Sequence, residues 1–337
     1  MKPTIYDVAK EAGVSIATVS KVINQTGRIG EKTRKKVHKV MEELNYQPSV
    51  VASALTGKNT YTIGLLVPDL ANPFFAEVAR SVEDRGRELG YSLVMCSTDH
   101  DPDKEIQYLT VLRQKQVDGI ILGTGFRHNG ELKGLIEQQI PVALIAREEP
   151  ELAVDTVLVD DFNGGYMATS HLVGLGHRRI AVIAEDLNVA SSRERVRGYR
   201  RALDERGIHY NEQLVLISDF TVADGKRLTG QLLDSEDPPT AVYACNDLLA
   251  IGAMQAATER GLHIPNDLSI VGFDDTLLAT ITNPALTTVA QPIHEMGRQV
   301  MDLLIQEVEK KKSVKQRVVL LPELKVRQST GERRDRK

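Results

Sequence analysis

From Tyr61 onward the chain alternates short apolar runs with longer stretches of helical periodicity, and this alternation restricts its fold more than any other feature. The runs are TIGLLV, SLVMCS, DGIILG, PVALIA, TVLVD, RIAVIA, LVLIS, AVYAC and SIVGF. Apolar runs of this length, separated by segments long enough to cross back, predict parallel sheets covered by helices on both faces, an α/β class. These nine runs are too many for one compact sheet at this length. The pattern around Pro68 returns loosely after Ala184, which predicts two similar lobes. Ligands in such folds sit beyond the carboxyl ends of the strands, so two facing lobes enclose a cleft.

The first sixty residues have a different pattern. Thr4 and Asp7 have the spacing of a capping box with Asp in place of Glu; Ile5, Val8, Ala9 and Ala12 follow at helical spacing, and Gly13 stops the helix. Ser15 can cap a second helix with Val19, Val22 and Ile23 inward, which turns Ile16, Ala17, Ser20, Lys21 and Asn24 outward. Two short helices joined by Ala12-Gly13-Val14-Ser15 spell helix-turn-helix, an all-α unit. A third helix is predicted around Thr33 to Leu44, with Val37, Val40, Met41 and Leu44 as its apolar stripe. In a helix-turn-helix the outward face of the second helix meets base edges in the major groove. Ile16 and Ala17 then suit thymine methyls and Lys21 a guanine edge, the alternative being that Ile16 packs at a domain edge.

Charge is partitioned in the same way. Residues 1 to 60 hold ten Lys or Arg against five Asp or Glu, a balance of +5; of the totals of 42 and 46, the rest keeps 32 against 41, or -9. The basic end is where a polyanion would dock, and an acidic remainder would be repelled by it. With 42% hydrophobic residues over 337 positions, the chain can bury about three packed units. No apolar leader follows Met1 and no run approaches the length of a membrane span, which predicts a cytosolic protein. Cys96 and Cys245 lie inside apolar runs, the setting of inert thiols rather than a disulfide or metal site.

The segments TIYDVAKEAGVSIATVSKVIN and TRKKVHKVMEELNYQPSVVASALTGK resemble the DNA-binding end of the LacI/GalR family of bacterial transcriptional regulators. The similarity continues through VPDLANPFFAEV, VDDFNGGYMA, GHRRIAVI, RGYRRAL, NDLLAIGAM, GFDD and PALTTVAQP, covering nearly the whole chain, and is strongest toward the catabolite-control and DegA-like branch. It implies that Thr4, Tyr6, Ser15, Thr18, Ser20 and Asn24 hold phosphates and register, with Ile16, Ala17 and Lys21 reading bases. Family members commonly carry Arg where this chain has Lys21, and the planar fork is lost here. The family also implies a hinge helix after Pro48 whose Leu55 wedges into the central base step; packing of Val50, Val51, Ala54 and Leu55 against the core alone is the other possibility. The implied core resembles periplasmic binding proteins, with three crossovers near Asp160, Gln291 and Leu320.

The expected organisation is a helix-turn-helix domain at 1–47 and a hinge at 48–60. An N-terminal lobe takes 61–160 with 292–320, a C-terminal lobe takes 161–291 with 321–330, and a tail follows at 331–337. By the resemblance, Phe74, Arg195, Phe220, Asn246 and Asp274 face the effector. Their chemistry suits a sugar, sugar phosphate or nucleobase-like ligand: Asp274 and Asn246 take hydroxyl or amide hydrogens, Arg195 forks onto an anion or polyol, and Phe220 covers an apolar face. Each could instead be structural, one of Phe74 and Phe75 belongs to the core, and Asp275 reads as a solvated neighbour. His177 reads as structural, the pairs Asp160-Asp161 and Asp274-Asp275 as caps or ligand contacts rather than metal carboxylates, and no cofactor is implied.

A homodimeric regulator of operator DNA accounts for all of these features. A sugar or nucleoside binding protein would share the core but requires export, for which no signal peptide is seen. An enzyme on the same core would leave the DNA-binding end unexplained, and no acid-base or nucleophilic constellation is visible. Some catabolite-control relatives answer to a phosphorylated carrier protein. Where that branch carries Tyr-Asp after Gln-Pro and then a basic residue, this chain has His294-Glu295 and Asp302. Acidic side chains there would repel a phosphoserine, so no phosphocarrier partner is expected.

Overall fold

The structure, a computed structural model, describes residues 3–23, 27–46, 59–123 and 130–333. It divides into two compact units, residues 1–60 and 61–337. In the first, helices α1 (Ile5–Ala12), α2 (Ile16–Ile23) and α3 (Glu31–Glu43) bury Val8, Ala12, Val19, Val22, Val37 and Val40 against one another. The Asp7 carboxylate reaches back to the N–H of Thr4 at 2.8 Å and to its hydroxyl at 2.7 Å, and Gly13 closes α1 in the left-handed region at φ 60. Hydrogen bonds from Thr4 hold the Asp7 carboxyl below its ordinary pKa. Ser15 Oγ accepts the N–H of Thr18 at 3.1 Å and so caps α2. α3 starts two residues before the expected Thr33, because Gly30 takes the N-cap and Glu31 favours the first turn.

The second unit holds two six-stranded sheets. Its elements are β1 (Thr62–Val67), α4 (Pro73–Glu88), β2 (Ser92–Ser97), α5 (Pro102–Gln114), β3 (Gly119–Leu122), α6 (Gly130–Glu137), β4 (Val142–Ile145), β5 (Asp155–Val159), α7 (Asp161–Gly174), β6 (Ile180–Ala184) and α8 (Ala190–Asp204). Then come β7 (Val215–Ile217), α9 (Val222–Leu233), β8 (Ala241–Ala244), α10 (Asp247–Glu259), β9 (Ser269–Asp274), α11 (Leu277–Ile281), β10 (Thr287–Ala290), α12 (Ile293–Val308), β11 (Arg317–Leu320) and β12 (Glu323–Lys325). The N-lobe sheet runs β11-β5-β4-β3-β1-β2 and the C-lobe sheet β12-β10-β9-β8-β6-β7, all pairs parallel except β12 against β10. The chain changes sheet between β5 and α7, between β10 and α12, and between β11 and β12.

Each sheet is buried on both faces, as its unbroken apolar strands require. In the N-lobe α4 and α12 cover one face and α5 and α6 the other; in the C-lobe α7 and α8 oppose α9, α10 and α11. Cys96 and Cys245 are buried in these cores, and burial pushes the Cys245 thiol up to about 12. Residues 331 and 333, read as the start of a tail, are part of the C-lobe. The Gly331 carbonyl accepts from His177, and the Arg333 N–H donates to the Leu175 carbonyl. Among the described residues no helix is long and apolar enough to cross a membrane.

Candidate DNA-reading helix and effector cleft

On the first unit, α2 exposes Ile16 (40%), Ala17 and Lys21, while Ser15, Thr4 and Tyr6 are exposed beside it and Thr18 and Ser20 are half-buried. Exposure of a β-branched apolar residue at the start of a helix that buries Val19 and Val22 leaves it available for contact. The exposed cations of α3 include Lys35, 3.0 Å from Glu31, and Lys39, 3.5 Å from Glu43. Such exposed pairs are worth only about 0.3–0.5 kcal/mol each, so a polyanion can displace them. Asn24 and Leu55, with the whole of 48–58, lie outside the described residues.

In the second unit both sheets end at their carboxyl edges in candidate residues. Asn72 caps α4, its side chain accepting the Phe74 N–H at 3.1 Å, and Pro73 fits the first helical position. Phe74 is buried in the N-lobe core and meets Phe75 edge to face at 5.0 Å; Phe75 is the more open of the two. From the C-lobe, Phe220 sits half-buried in the left-handed region at φ 59. Asn246 caps α10, its Oδ1 accepting the Leu249 N–H at 2.7 Å, while its Nδ2 is buried without a hydrogen-bond partner.

Arg195 is anchored by contacts to two other elements and an aromatic ring. Its Nε donates to Asp161 Oδ1 at 2.7 Å, its Nη1 to the Cys245 carbonyl at 2.5 Å, and its guanidinium lies 3.6 Å from the centre of the Phe273 ring. Burial opposes the cation, but Asp161 and Asp274 more than offset this and its pKa is raised. Arg195 is thus a buried charge binding α8 to α7 and β8 through Nε and Nη1. Asp160 caps α7 by accepting the Asn163 N–H at 2.9 Å.

Asp274 ends β9 in an unusual backbone conformation, φ 116, followed by Asp275 at φ 60. Such geometry costs about 1–3 kcal/mol per residue and is kept where neighbours enforce it. Gln291, at the second crossover, supplies part of that enforcement: its Nε2 donates to Asp274 Oδ1 at 2.7 Å and its N–H to the Asp274 carbonyl at 3.2 Å. Arg327 supplies the rest, pairing with Asp275 at 2.6 Å, so Asp275 is not the solvated neighbour that the sequence suggested. Burial, then the nearby Asp247, push the Asp274 carboxyl well above the usual carboxylate range. Asp247 itself accepts from the Thr276 N–H, the Thr276 hydroxyl and the Thr288 hydroxyl, and burial pushes it up to about 7.

Several participants escaped the sequence reading. Gln291 carries a buried Oε1 without a hydrogen-bond partner, and its position before Pro292 at an expected crossover was the available signal. Glu185 follows β6; burial raises its carboxyl, against the pull of His100 beyond β2, Arg195 and Arg147 beyond β4. Charges from the N-lobe therefore act on a C-lobe carboxyl, and no spacing in the sequence announces this.

Sequence comparison places the chain among known proteins. The family described as "Bacterial regulatory proteins, lacI family" matches residues 4–49, and that described as "Periplasmic binding proteins and sugar binding domain of LacI family" matches residues 60–329. The HTH-type transcriptional regulator DegA of Bacillus subtilis (strain 168) is 50% identical over 334 residues, 98% of this chain and 99% of that protein. Catabolite control protein A of Priestia megaterium is 38% identical over 335 residues, 98% of this chain and 100% of that protein. Among solved structures, a lac repressor dimer bound to operator and the anti-inducer ONPF superposes with a TM-score of 0.87 at 31% identity, covering 98% of this chain and 100% of that one. Across its helical unit and its two-lobed core alike, this chain belongs to the LacI family of bacterial regulatory proteins.

Proposed function

We propose that this chain is a cytoplasmic, homodimeric transcription regulator that binds operator DNA through α2 and answers to a small polar effector held between its lobes. One observation carries the reading: a helix-turn-helix unit and a two-lobed binding core of the same family lie in order on a chain that relatives named as transcriptional regulators match almost end to end. On this reading Ile16, Ala17 and Lys21 meet base edges. Thr4, Tyr6, Ser15, Thr18, Ser20 and Asn24 hold the backbone, and Leu55 is the minor-groove wedge.

The effector class follows from the cleft. Asn246 Nδ2 is an unsatisfied buried donor and Gln291 Oε1 an unsatisfied buried acceptor, and buried polar atoms without partners cost about 1–3 kcal/mol each. A ligand hydroxyl can serve both roles. Phe74, Phe75 and Phe220 supply apolar walls, and the buried carboxyls of Asp274 and Glu185 disfavour an anionic group next to them. A neutral polyol or sugar fits better than a sugar phosphate, and the role is binding rather than catalysis.

The second copy has a face to occupy. α11 exposes Leu277 (68%) and Ile281 (66%), beside a groove of about 370 Å³ lined by Ile251, Met254 and Gln255 of α10 with Thr282 and Asn283. Exposed large apolar side chains beside an apolar groove suit an isologous contact. Phosphocarrier control is disfavoured: Asp302 of α12, held by Arg85 at 2.7 Å, and Glu295 on the same helix are acidic groups that would repel a phosphate.

Selection of genomic fragments with the full-length protein, then salt titration on the best fragment and on scrambled DNA, tests the reading. A palindrome bound at least about a thousandfold more tightly than scrambled DNA is expected. Failure to enrich any sequence, with or without a mixture of sugars, would overturn it.

A further inference from the structure

Phe74 and Asp274 stand on elements of opposite lobes, α4 and the link from β9 to α11. About one helical turn beyond each, the same two elements touch directly: the Leu277 N–H donates to Glu77 Oε1 at 3.2 Å. Leu277 is the first residue of α11, a position whose N–H has no partner inside the helix. Thr276 precedes it as N-cap but offers no side-chain cap, because its hydroxyl and its N–H both go to Asp247. The free donor of a C-lobe helix is therefore satisfied by a carboxylate of the N-lobe.

The surroundings make this contact a selective one. On the C-lobe side the link is pinned: Gln291 holds Asp274, Arg327 holds Asp275, and Asp247 holds Thr276. It cannot follow Glu77 if the N-lobe moves away, so separation of the lobes breaks the hydrogen bond rather than bending the link. α11 is also the helix that presents Leu277 and Ile281 to solvent.

We propose that Glu77 is a positioning residue whose carboxylate latches the two lobes together and transmits closure of the cleft directly to α11, the helix of the dimer face. This rests on the reading of the cleft as the effector site. A ligand that draws Phe74 and Asp274 together draws Glu77 and Leu277 together in the same movement, and an opened cleft leaves α11 uncapped. Linkage then runs both ways: what steadies α11 at the dimer face favours the closed cleft.

The test uses the ligand-free full-length protein, so its outcome is independent of operator selection. Spin labels at Arg113→Cys on α5 and Glu236→Cys before β8, both exposed positions, report the inter-lobe distance in labelled chains diluted with unlabelled ones. Leu277→Pro removes the donor at a position where proline is tolerated, and Thr276 already has the extended backbone that a following proline requires, φ -69 and ψ 167. Leu277→Ala removes the same side chain but keeps the donor.

The expected result is that Glu77→Ala and Leu277→Pro each shift the distribution to longer distances, that Glu77→Gln falls between them and the parent, and that Leu277→Ala, which keeps the donor but trims the dimer face, shifts it less than Leu277→Pro does. Hydrogen exchange at the Leu277 amide should quicken about tenfold in Glu77→Ala, as expected on losing a hydrogen bond to a charged acceptor. Distances unchanged by Glu77→Ala, or an effect of Leu277→Ala equal to that of Leu277→Pro, would overturn the latch.

Discussion

His177 lies where the C-lobe strands meet the end of the chain. Its Nδ1 is 2.9 Å from Thr240 Oγ1, and its Nε2 is 3.0 Å from Ser269 Oγ and 3.1 Å from the Gly331 carbonyl. The carbonyl can only accept, so Nε2 carries the proton and Nδ1 accepts from Thr240. Burial holds the imidazole below its ordinary pKa of 6.5. Below that pH the unfolded chain takes up a proton that the folded lobe refuses, so the stability due to neutral His177 is full above it and is lost as pH falls. His177→Gln should cost about 1–3 kcal/mol in urea denaturation at pH 7.5, and its deficit relative to the parent should shrink between pH 6.5 and 5. A constant deficit would show that protonation plays no part. Arg195 belongs to the same scale. Arg195→Ala leaves Asp161 a buried charge without a counterion and should cost about 3–5 kcal/mol by the same measurement. These two residues mark how far the site was legible. Asn246 and Asp274 are legible through the family resemblance, and both fall at the carboxyl ends of apolar runs that read as strands. The partners of Arg195 are not, because Asp161, Cys245 and Phe273 meet it only through the packing of three elements.

That packing is set by how closely α7 and α8 approach. A Cβ on Gly165 would lie 2.1 Å from the Arg195 carbonyl oxygen, and one on Gly198 would lie 2.1 Å from the Phe162 carbonyl oxygen. The two backbones are in contact, and neither obstructing atom can rotate away. Gly198→Ala must push α8 outward, carrying Arg195 with it, and should cost at least about 1–3 kcal/mol as overpacking does. A lowered melting temperature together with weaker effector binding would confirm the link between helix spacing and the cleft; an unchanged melting temperature would refute it. The strands illustrate what element patterns disclose. The nine apolar runs all form strands: seven of them, β1, β3, β4, β5, β6, β8 and β9, are interior strands whose burial on both faces leaves a continuous apolar signal, while β2 and β7 are half-exposed sheet edges that carry apolar runs all the same. β10, β11 and β12 were not in that set. β10 reads Thr-Thr-Val-Ala, and its threonines are tolerated inside the core only because their hydroxyls find partners, Thr288 on Asp247 and Thr287 near Thr330. β11 and β12 are edge strands, half-exposed and short, and edge positions do not demand an apolar run.

For the whole molecule the decisive property is that the basic balance of +5 in residues 1–60 is presented twice if two copies associate. Each phosphate neutralised by a Lys or Arg releases counterions, so log affinity falls against log salt with a slope of about 0.9 per phosphate contact. A dimer on a palindrome makes twice the contacts of a monomer on a half-site. Ile281→Asp places a charge in the proposed partner face and changes no residue of the first unit or of the cleft. Because a central apolar anchor is worth about 2 kcal/mol or more, the dimer dissociation constant should rise about thirtyfold or more in analytical ultracentrifugation. At concentrations where the variant is monomeric, operator affinity should drop and the salt slope should fall to roughly half that of the parent. The halved slope is the discriminating reading: a misfolded first unit would lose affinity without leaving a clean half-site slope, and a dimer built on another face would keep the parent slope unchanged.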